Sequence, residues 1–218
     1  MEPIIRTIGT EDWITFILVA SLFFVVVAKS FFYQRFTHFI ILPFNNKYIF
    51  MYNKKDRLIN WFHIFFTLFQ LLNLSLFIYL ARRILLEGQD NAYPFIFILI
   101  LGLLALYLGI KVFLQLFNSF IFNSGSQIGE LIFKKLTYLN YSGIVMFLAN
   151  MLLTYAVKDS KTLIYISLAL ILLINLIGWV TVLRNHQKLI TSNFFYFILY
   201  LCALEIAPFV IIGSYLKD

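Results

Sequence analysis

Six long apolar blocks, separated by short polar segments, dominate this chain of 218 residues. The first reads WITFILVASLFFVVVAKSFF, and the others also approach the roughly 20 residues with which a helix crosses a bilayer. Inside a bilayer the backbone must satisfy its own hydrogen bonds, and the blocks lack the apolar–polar alternation of barrel strands. The pattern therefore predicts an all-α fold, a polytopic transmembrane bundle of about six spans. The predicted spans cover residues 13–32, 58–80, 94–117, 139–157, 162–183 and 194–216.

Composition supports a membrane protein and leaves little room for anything else. The chain is 62% hydrophobic and only 12% charged, whereas about a quarter of the residues in soluble proteins are charged. Because the spans use up the length, we expect one integral membrane domain over residues 1–218. The net charge of +7 comes mainly from residues between the apolar blocks, so we expect no nucleic-acid partner.

Loop charges predict the orientation of the chain. Three loops on one side of the predicted bundle hold nine basic residues and two acids. The opposite side holds six basic residues and seven acids. Since basic loops stay cytoplasmic, both termini are expected on the periplasmic side. The nine basic residues are Arg35, Lys47, Lys54, Lys55, Arg57, Lys134, Lys135, Arg184 and Lys188.

Two of the predicted cytoplasmic loops are unusual. The first, YQRFTHFIILPFNNKYIFMYNKKDR, carries bulky apolar residues, so we expect it to lie along the membrane surface or to turn at Asn45 and Asn46. The second, SGSQIGELIFKKL, predicts a short interfacial helix. Their basic residues either contact lipid headgroups or dock a partner protein, and both interpretations stay open. These residues are Lys47, Lys54, Lys55, Arg57, Lys134 and Lys135.

Motifs for catalysis are not found in the sequence. It carries no Walker loop, no G-x-S-x-G elbow and no paired-carboxylate motif. The three histidines fall in separate segments without the i, i+4 spacing of a helical metal site. We therefore predict no enzymatic activity, no metal site and no cofactor.

Polar residues inside the predicted spans form the main candidate site. Glu205, Asn150 and Asn175 lie about 11, 12 and 8 residues from the predicted cytoplasmic ends of their spans. At about 1.5 Å per residue they would share one layer of the membrane. Lys29 and Lys111 lie nearer the cytoplasmic boundary, and their long side chains would reach either the headgroups or Glu205.

Pro208 follows Glu205 in the stretch YLCALEIAPFVIIG. Since proline donates no hydrogen bond to the Leu204 carbonyl, a helix kink is expected one turn from the acid. An isolated carboxylate inside a bilayer is costly, so Glu205 should be protonated or paired. It is either a proton or cation relay, an anchor for a partner's charge, or a structural hydrogen bond between helices.

Four segments carry a resemblance to a known family. They read NNKYIFMYNKKDRLINWF, QLLNLSLFIY, KKLTYLNYSG and YFILYLCALEIAPFVII, and the last contains an LYLCxLEIxP-type signature. On these segments the chain resembles an uncharacterised family of polytopic Bacteroidetes inner-membrane proteins, known as a domain of unknown function. The resemblance implies a multi-pass protein of a Gram-negative inner membrane, and it implies no activity.

Three functional hypotheses follow. The first is a non-catalytic subunit, or an assembly or anchoring factor, of a larger cell-envelope complex such as the gliding or type IX secretion machinery of those bacteria. Its partners would be membrane lipids and other membrane or cytoplasmic subunits. The second is a small proton- or ion-coupled transporter or channel that uses Glu205. The third, a lipid-modifying enzyme, lacks a nucleophile or metal constellation.

Overall fold

A computed structural model describes residues 12–42, 47–52, 60–85, 94–121 and 125–185. Within these ranges the chain is helical and contains no strand, which confirms the predicted all-α fold. The predicted sixth span, residues 194–216, lies outside them. The helices are α1 (Asp12–Phe31), α2 (Tyr33–Ile40), α3 (Lys47–Tyr52), α4 (Trp61–Leu85), α5 (Pro94–Ile121), α6 (Gly125–Met151) and α7 (Lys161–Asn185), with a π-helical turn (Leu152–Ala156) after α6.

Five of the described helices are long and apolar enough to cross a membrane. The fold is therefore that of a multi-pass membrane protein. The helices form two compact units, Met1–Gly178 and Trp179–Asp218, and the packing described below lies within the first. The five segments are Asp12–Phe31, Trp61–Leu85, Phe95–Phe117, Gly129–Ala156 and Lys161–Thr181.

The boundaries of the fourth span differ most from the predicted ones. The segment for which we expected a short interfacial helix is helical, but it continues without a break into the span as α6. Lys134 donates a hydrogen bond of 2.6 Å to Glu130, one turn earlier. This pairing of charges at i, i+4 supports one continuous helix in place of the expected short, separate one.

Side-chain caps mark where two of the long helices begin. The Asn60 side chain accepts a hydrogen bond from the Phe62 backbone N–H at 3.3 Å, before α4. Ser160 accepts one from the Leu163 backbone N–H at 3.3 Å, before α7. The preceding residue, Asp159, has a φ of 59°, a left-handed conformation that reverses the chain within a few residues.

This tight turn makes α6 and α7 antiparallel. Gly178, in the second half of α7, lies against Tyr138 at the middle of α6. A Cβ atom at Gly178 would lie 2.7 Å from Cγ of the Tyr138 ring, which is shorter than real contacts of this kind. The contact between the Tyr138 ring and the α7 backbone therefore depends on a glycine at this position.

Helix α4 is the central helix of the first unit, because it packs against α1, α5 and α6. Its contact with α1 is antiparallel: Trp13 meets Tyr79 at 5.1 Å between ring centroids, and Phe32 meets Phe62 at 6.1 Å. Its contact with α6 is parallel, as expected for two spans separated by one further crossing. The end of the bundle containing Trp13 has its own apolar core, which includes Leu80 and Phe97.

The loop between the first two spans is folded against the bundle. Residues 33–42 and 47–52, which we call the cap, bury Phe39, Leu42, Tyr48 and Ile49. These side chains join a second core cluster that includes Phe62 at the start of α4. The cap is thus a folded element, rather than the surface segment that one interpretation of the sequence suggested; Asn45 and Asn46 lie outside the described residues.

Candidate functional site

Buried polar side chains line the contact between α4 and α6. We call this set the seam. Helix α4 contributes residues at a spacing of three to four, which places them on one helical face. Helix α6 contributes two asparagines from the face that meets them. The seam residues are His63, Thr67, Gln70, Asn73, Asn140 and Asn150.

Three pairings fix the parallel register of the two helices along the seam. At one end the His63 ring lies 4.6 Å from the Phe133 ring, measured between centroids. Thr67 and Asn140 exchange side-chain hydrogen bonds at 3.2 and 3.4 Å. The Asn150 amide then donates to the backbone carbonyl of Asn73 at 2.9 Å. Residue numbers rise together on both helices, so the seam runs along a large part of their shared length.

Gly143 lets the two backbones approach at the middle of the seam. A Cβ atom at this position would lie 3.0 Å from Cα of Gln70 and 3.1 Å from its Cβ. Since the nearest atom belongs to the backbone of α4, no side-chain rotation would relieve the contact. Gly143 therefore places α6 against the stem of Gln70, in the way small residues bring transmembrane helices together.

The middle of the seam is deeply buried, and several of its polar atoms have no hydrogen-bond partner among the described residues. Gln70 and Asn150 are 0% exposed, and Asn73 is 1% exposed. Neither Oε1 nor Nε2 of Gln70 has a hydrogen-bond partner among the described residues, and the Oδ1 atoms of Asn73 and Asn150 also lack one there. Such orphaned groups are rare in folded proteins and costly inside a membrane. They identify this region as the candidate functional site.

At its other end the seam meets the cap. Tyr48 Oη lies 3.3 Å from Nε2 of His63, within hydrogen-bond distance. The Tyr48 ring stacks on Phe133 at 6.2 Å between centroids. His63 therefore lies in an aromatic enclosure shared by α3, α4 and α6, and its Nδ1 atom has no partner among the described side chains and backbone. Although it lies near the beginning of α4, the His63 side chain is buried.

Arginine and aromatic contacts hold the two short helices of the cap together. The Arg35 guanidinium on α2 lies 4.8 Å from the ring centroid of Tyr52 on α3 and 5.8 Å from that of Phe32. Tyr141 Oη on α6 donates to the Ile40 carbonyl at 3.4 Å. Cation–π contacts and burial together attach the cap to the bundle.

Of the predicted polar layer, Asn150 lies in the seam, and the structure gives Asn175, Lys29 and Lys111 different surroundings. Asn175 donates to the Ile171 carbonyl of its own helix at 2.8 Å. Lys29 is exposed, with its Nζ 5.9 Å from the Phe36 ring centroid. The Nζ of half-buried Lys111 lies 5.8 Å from the Tyr107 ring centroid. Glu205 and Pro208 lie outside the described residues, so the predicted layer and kink stay predictions.

Of the predicted basic docking residues, three lie among the described residues and three lie outside them. Lys134 is 1% exposed, so it lies inside the bundle beside Glu130 and not on the expected surface. Lys135 is half-buried, and Lys47 begins α3. The remaining residues, Lys54, Lys55 and Arg57, lie outside the described residues.

Asn150 is the only seam residue that the sequence predicted as part of a site; the other five, His63, Thr67, Gln70, Asn73 and Asn140, were missed. A usable signal was present, because the polar positions of HIFFTLFQLLN recur at helical spacing on one face of the second span. Gln70 in particular lies in an apolar surrounding that gives no indication of its partner helix.

Comparison with known proteins gives a family and no activity. Residues 14–216 match the family described as "Domain of unknown function (DUF4271)", so the chain belongs to that family over nearly its whole length. No curated protein matches the chain, and no solved structure does.

Proposed function

We propose that this member of the DUF4271 family is a non-catalytic inner-membrane protein that serves as a subunit, or as an assembly or anchoring factor, of a larger cell-envelope complex. The cap carries this proposal, since a loop that only joins two spans needs no aromatic core of its own. Phe39 and Tyr48 pack the cap onto α4, while other large apolar side chains face outwards. These exposed side chains are Tyr33, Ile40, Ile41 and Met51.

A rigid surface with exposed aromatic and aliphatic groups suits protein contact, since little conformational entropy is lost when it binds. Membrane lipids would cover part of the same surface, in keeping with the headgroup contacts expected of basic loops. Following the loop charges, we propose that the cap faces the cytoplasm and that both termini face the periplasm of a Bacteroidetes cell. A reporter fused to the C-terminus tests the orientation, and cytoplasmic activity of that reporter would contradict it.

Photo-crosslinking in the native host tests the docking role directly. A photoreactive amino acid at Ile40 or Ile41 is expected to capture the same protein, identified by mass spectrometry, at both positions. Leu103 on α5 is the matched control, because it is also apolar and exposed but lies in the middle of a predicted span. Capture of lipid alone at the cap positions, or of the same protein at Leu103, would reject the proposal.

The seam favours a second candidate, a small proton- or ion-coupled transporter or channel that uses Glu205. Its support is the set of buried amides without partners among the described residues, because polar groups inside a membrane often mark transport pathways. Proton uptake into proteoliposomes tests it. Uptake that survives in the Glu205→Gln variant would remove Glu205 from the mechanism, and no uptake by the unaltered protein would remove the candidate.

A further inference from the structure

The amide groups at the middle of the seam leave both donors and acceptors without partners among the described residues. The Asn73 amide donates to the Phe69 carbonyl at 2.8 Å, and the Asn150 amide donates to the Asn73 carbonyl. Both Oδ1 atoms and the Oε1 and Nε2 atoms of Gln70 have no such partner, and each bonded amide nitrogen carries a second N–H. An occupant of this region must therefore both donate and accept hydrogen bonds.

These groups are spread along about two helical turns of the seam. Gln70 precedes Asn73 by three residues on α4, a rise of about 4.5 Å, and it lies opposite Gly143, which precedes Asn150 by seven residues on α6. The hydrogen bond from Asn150 to the Asn73 carbonyl places the α6 amide beyond Gln70 along the seam. Since the free groups are neutral and include both donors and acceptors, water molecules match them, because water donates twice and accepts twice.

A cavity large enough for water lies one helical turn beyond Asn150. Its volume is about 30 Å³, and Leu80, Leu153 and Thr154 form part of its wall. A water molecule needs only about 10–15 Å³ by the same measure. Thr154 follows Asn150 by one helical turn, and its Oγ1 donates to the Asn150 backbone carbonyl at 2.8 Å, so the cavity wall lies beside the end of the seam.

The helix geometry changes at the same place. The π-helical turn Leu152–Ala156 follows Asn150 directly and contains Thr154. A π-helical turn shifts hydrogen bonding by one residue and often marks a functional position in a helix. Arg83, Lys158 and Asp159 also line the cavity, which places it near the charged end of the bundle.

We propose that the seam is an intramembrane water site, in which water molecules from the Thr154 cavity reach Asn150 and continue along the amides of Asn73 and Gln70. The site uses neutral groups of the first unit alone, and it does not depend on the docking role of the cap. It gives the orphaned amides partners without requiring a charged residue between α4 and α6.

Radiolytic labelling in H₂¹⁸O tests this proposal on the full-length protein. Met146 is the reporter: it is 2% exposed and lies between Gly143 and Asn150 on the same face of α6. Hydroxyl radicals formed from bound water oxidise nearby methionine sulfur. We expect clear ¹⁸O uptake at Met146 in the unaltered protein, and at least a several-fold decrease in Gln70→Leu. Met51, which is exposed in the cap, reports bulk solvent and should not change.

A second variant distinguishes loss of the water site from a folding defect in Gln70→Leu. Thr154→Val leaves the amides in place and removes the hydroxyl between cavity and seam, so it should also lower labelling at Met146. Absence of ¹⁸O at Met146 in the unaltered protein, or equal labelling in all three proteins, would overturn the proposal. Labelling that requires Na⁺ or K⁺, and is lost in N-methylglucamine chloride, would also overturn it in favour of a cation site.

Discussion

The cap and the seam both involve contacts with α4, but the chemistry of these contacts is opposite. Where the cap meets α4, the rings of Phe39, Tyr48 and Phe62 contact one another at centroid distances of 5.6 to 6.3 Å. In the seam, amides and a hydroxyl meet across the helices, and several polar atoms lack partners among the described residues. Aromatic burial supplies free energy without demanding one geometry, whereas hydrogen bonds fix a register and supply little. The cap should therefore dominate stability, and the seam should determine how α4 and α6 align.

Truncating the cap's central ring should give the largest effect. Phe39→Ala removes a fully buried side chain and is expected to cost about 3–5 kcal/mol of the cap's stability. Limited proteolysis within residues 33–52 measures the opening of the cap. Phe31→Ala is the control, because Phe31 is 75% exposed and loses few contacts. Equal protease sensitivity of the two variants would show that the aromatic core does not hold the cap.

The second-largest effect is expected when a side chain is introduced at Gly143, where α4 and α6 approach most closely. Gly143→Leu forces a side chain against the Gln70 backbone and is expected to cost about 1–3 kcal/mol in the free energy of unfolding in bicelles. Gly102→Leu on α5 is the matched control, since a Cβ atom there meets nothing within 4 Å. Both changes raise helix propensity similarly, so only the contact differs. A stable Gly143→Leu protein would mean that α4 and α6 are not closely packed at this point.

Removing one hydrogen bond of the seam should lower the free energy of unfolding much less. Asn150→Leu eliminates the bond to the Asn73 carbonyl but also an orphaned acceptor, so we expect a loss of about 0.6 kcal/mol in the same assay. Asn175→Leu should change stability even less, because the Asn175 amide donates within its own helix. A loss above about 2 kcal/mol for Asn150→Leu would mean that the seam contributes energy as well as alignment.

The contrast also explains what the sequence could predict. The length of each apolar block determines that α1, α4, α5 and α7 exist, because the bilayer sets a minimum length for any span. The cap could not be foreseen, since Phe39 and Phe62 become neighbours only after the chain reverses direction. Asn150 was identified from its polarity within a span, but its partner was not. The partner is a backbone carbonyl, and every residue offers one of these.

The smallest effect is expected for a substitution at the contact between the cap and the seam. Tyr48→Phe keeps the ring stacked on Phe133 and removes only the hydroxyl that lies 3.3 Å from His63 Nε2. At that distance the hydrogen bond is weak, so we expect a loss of about 0.5 kcal/mol and no change in protease sensitivity of the cap. Tyr52→Phe is the control, because its ring faces Arg35. If Tyr48→Phe instead opens the cap as Phe39→Ala does, the His63 contact couples cap to seam, and the two regions form one cooperative unit.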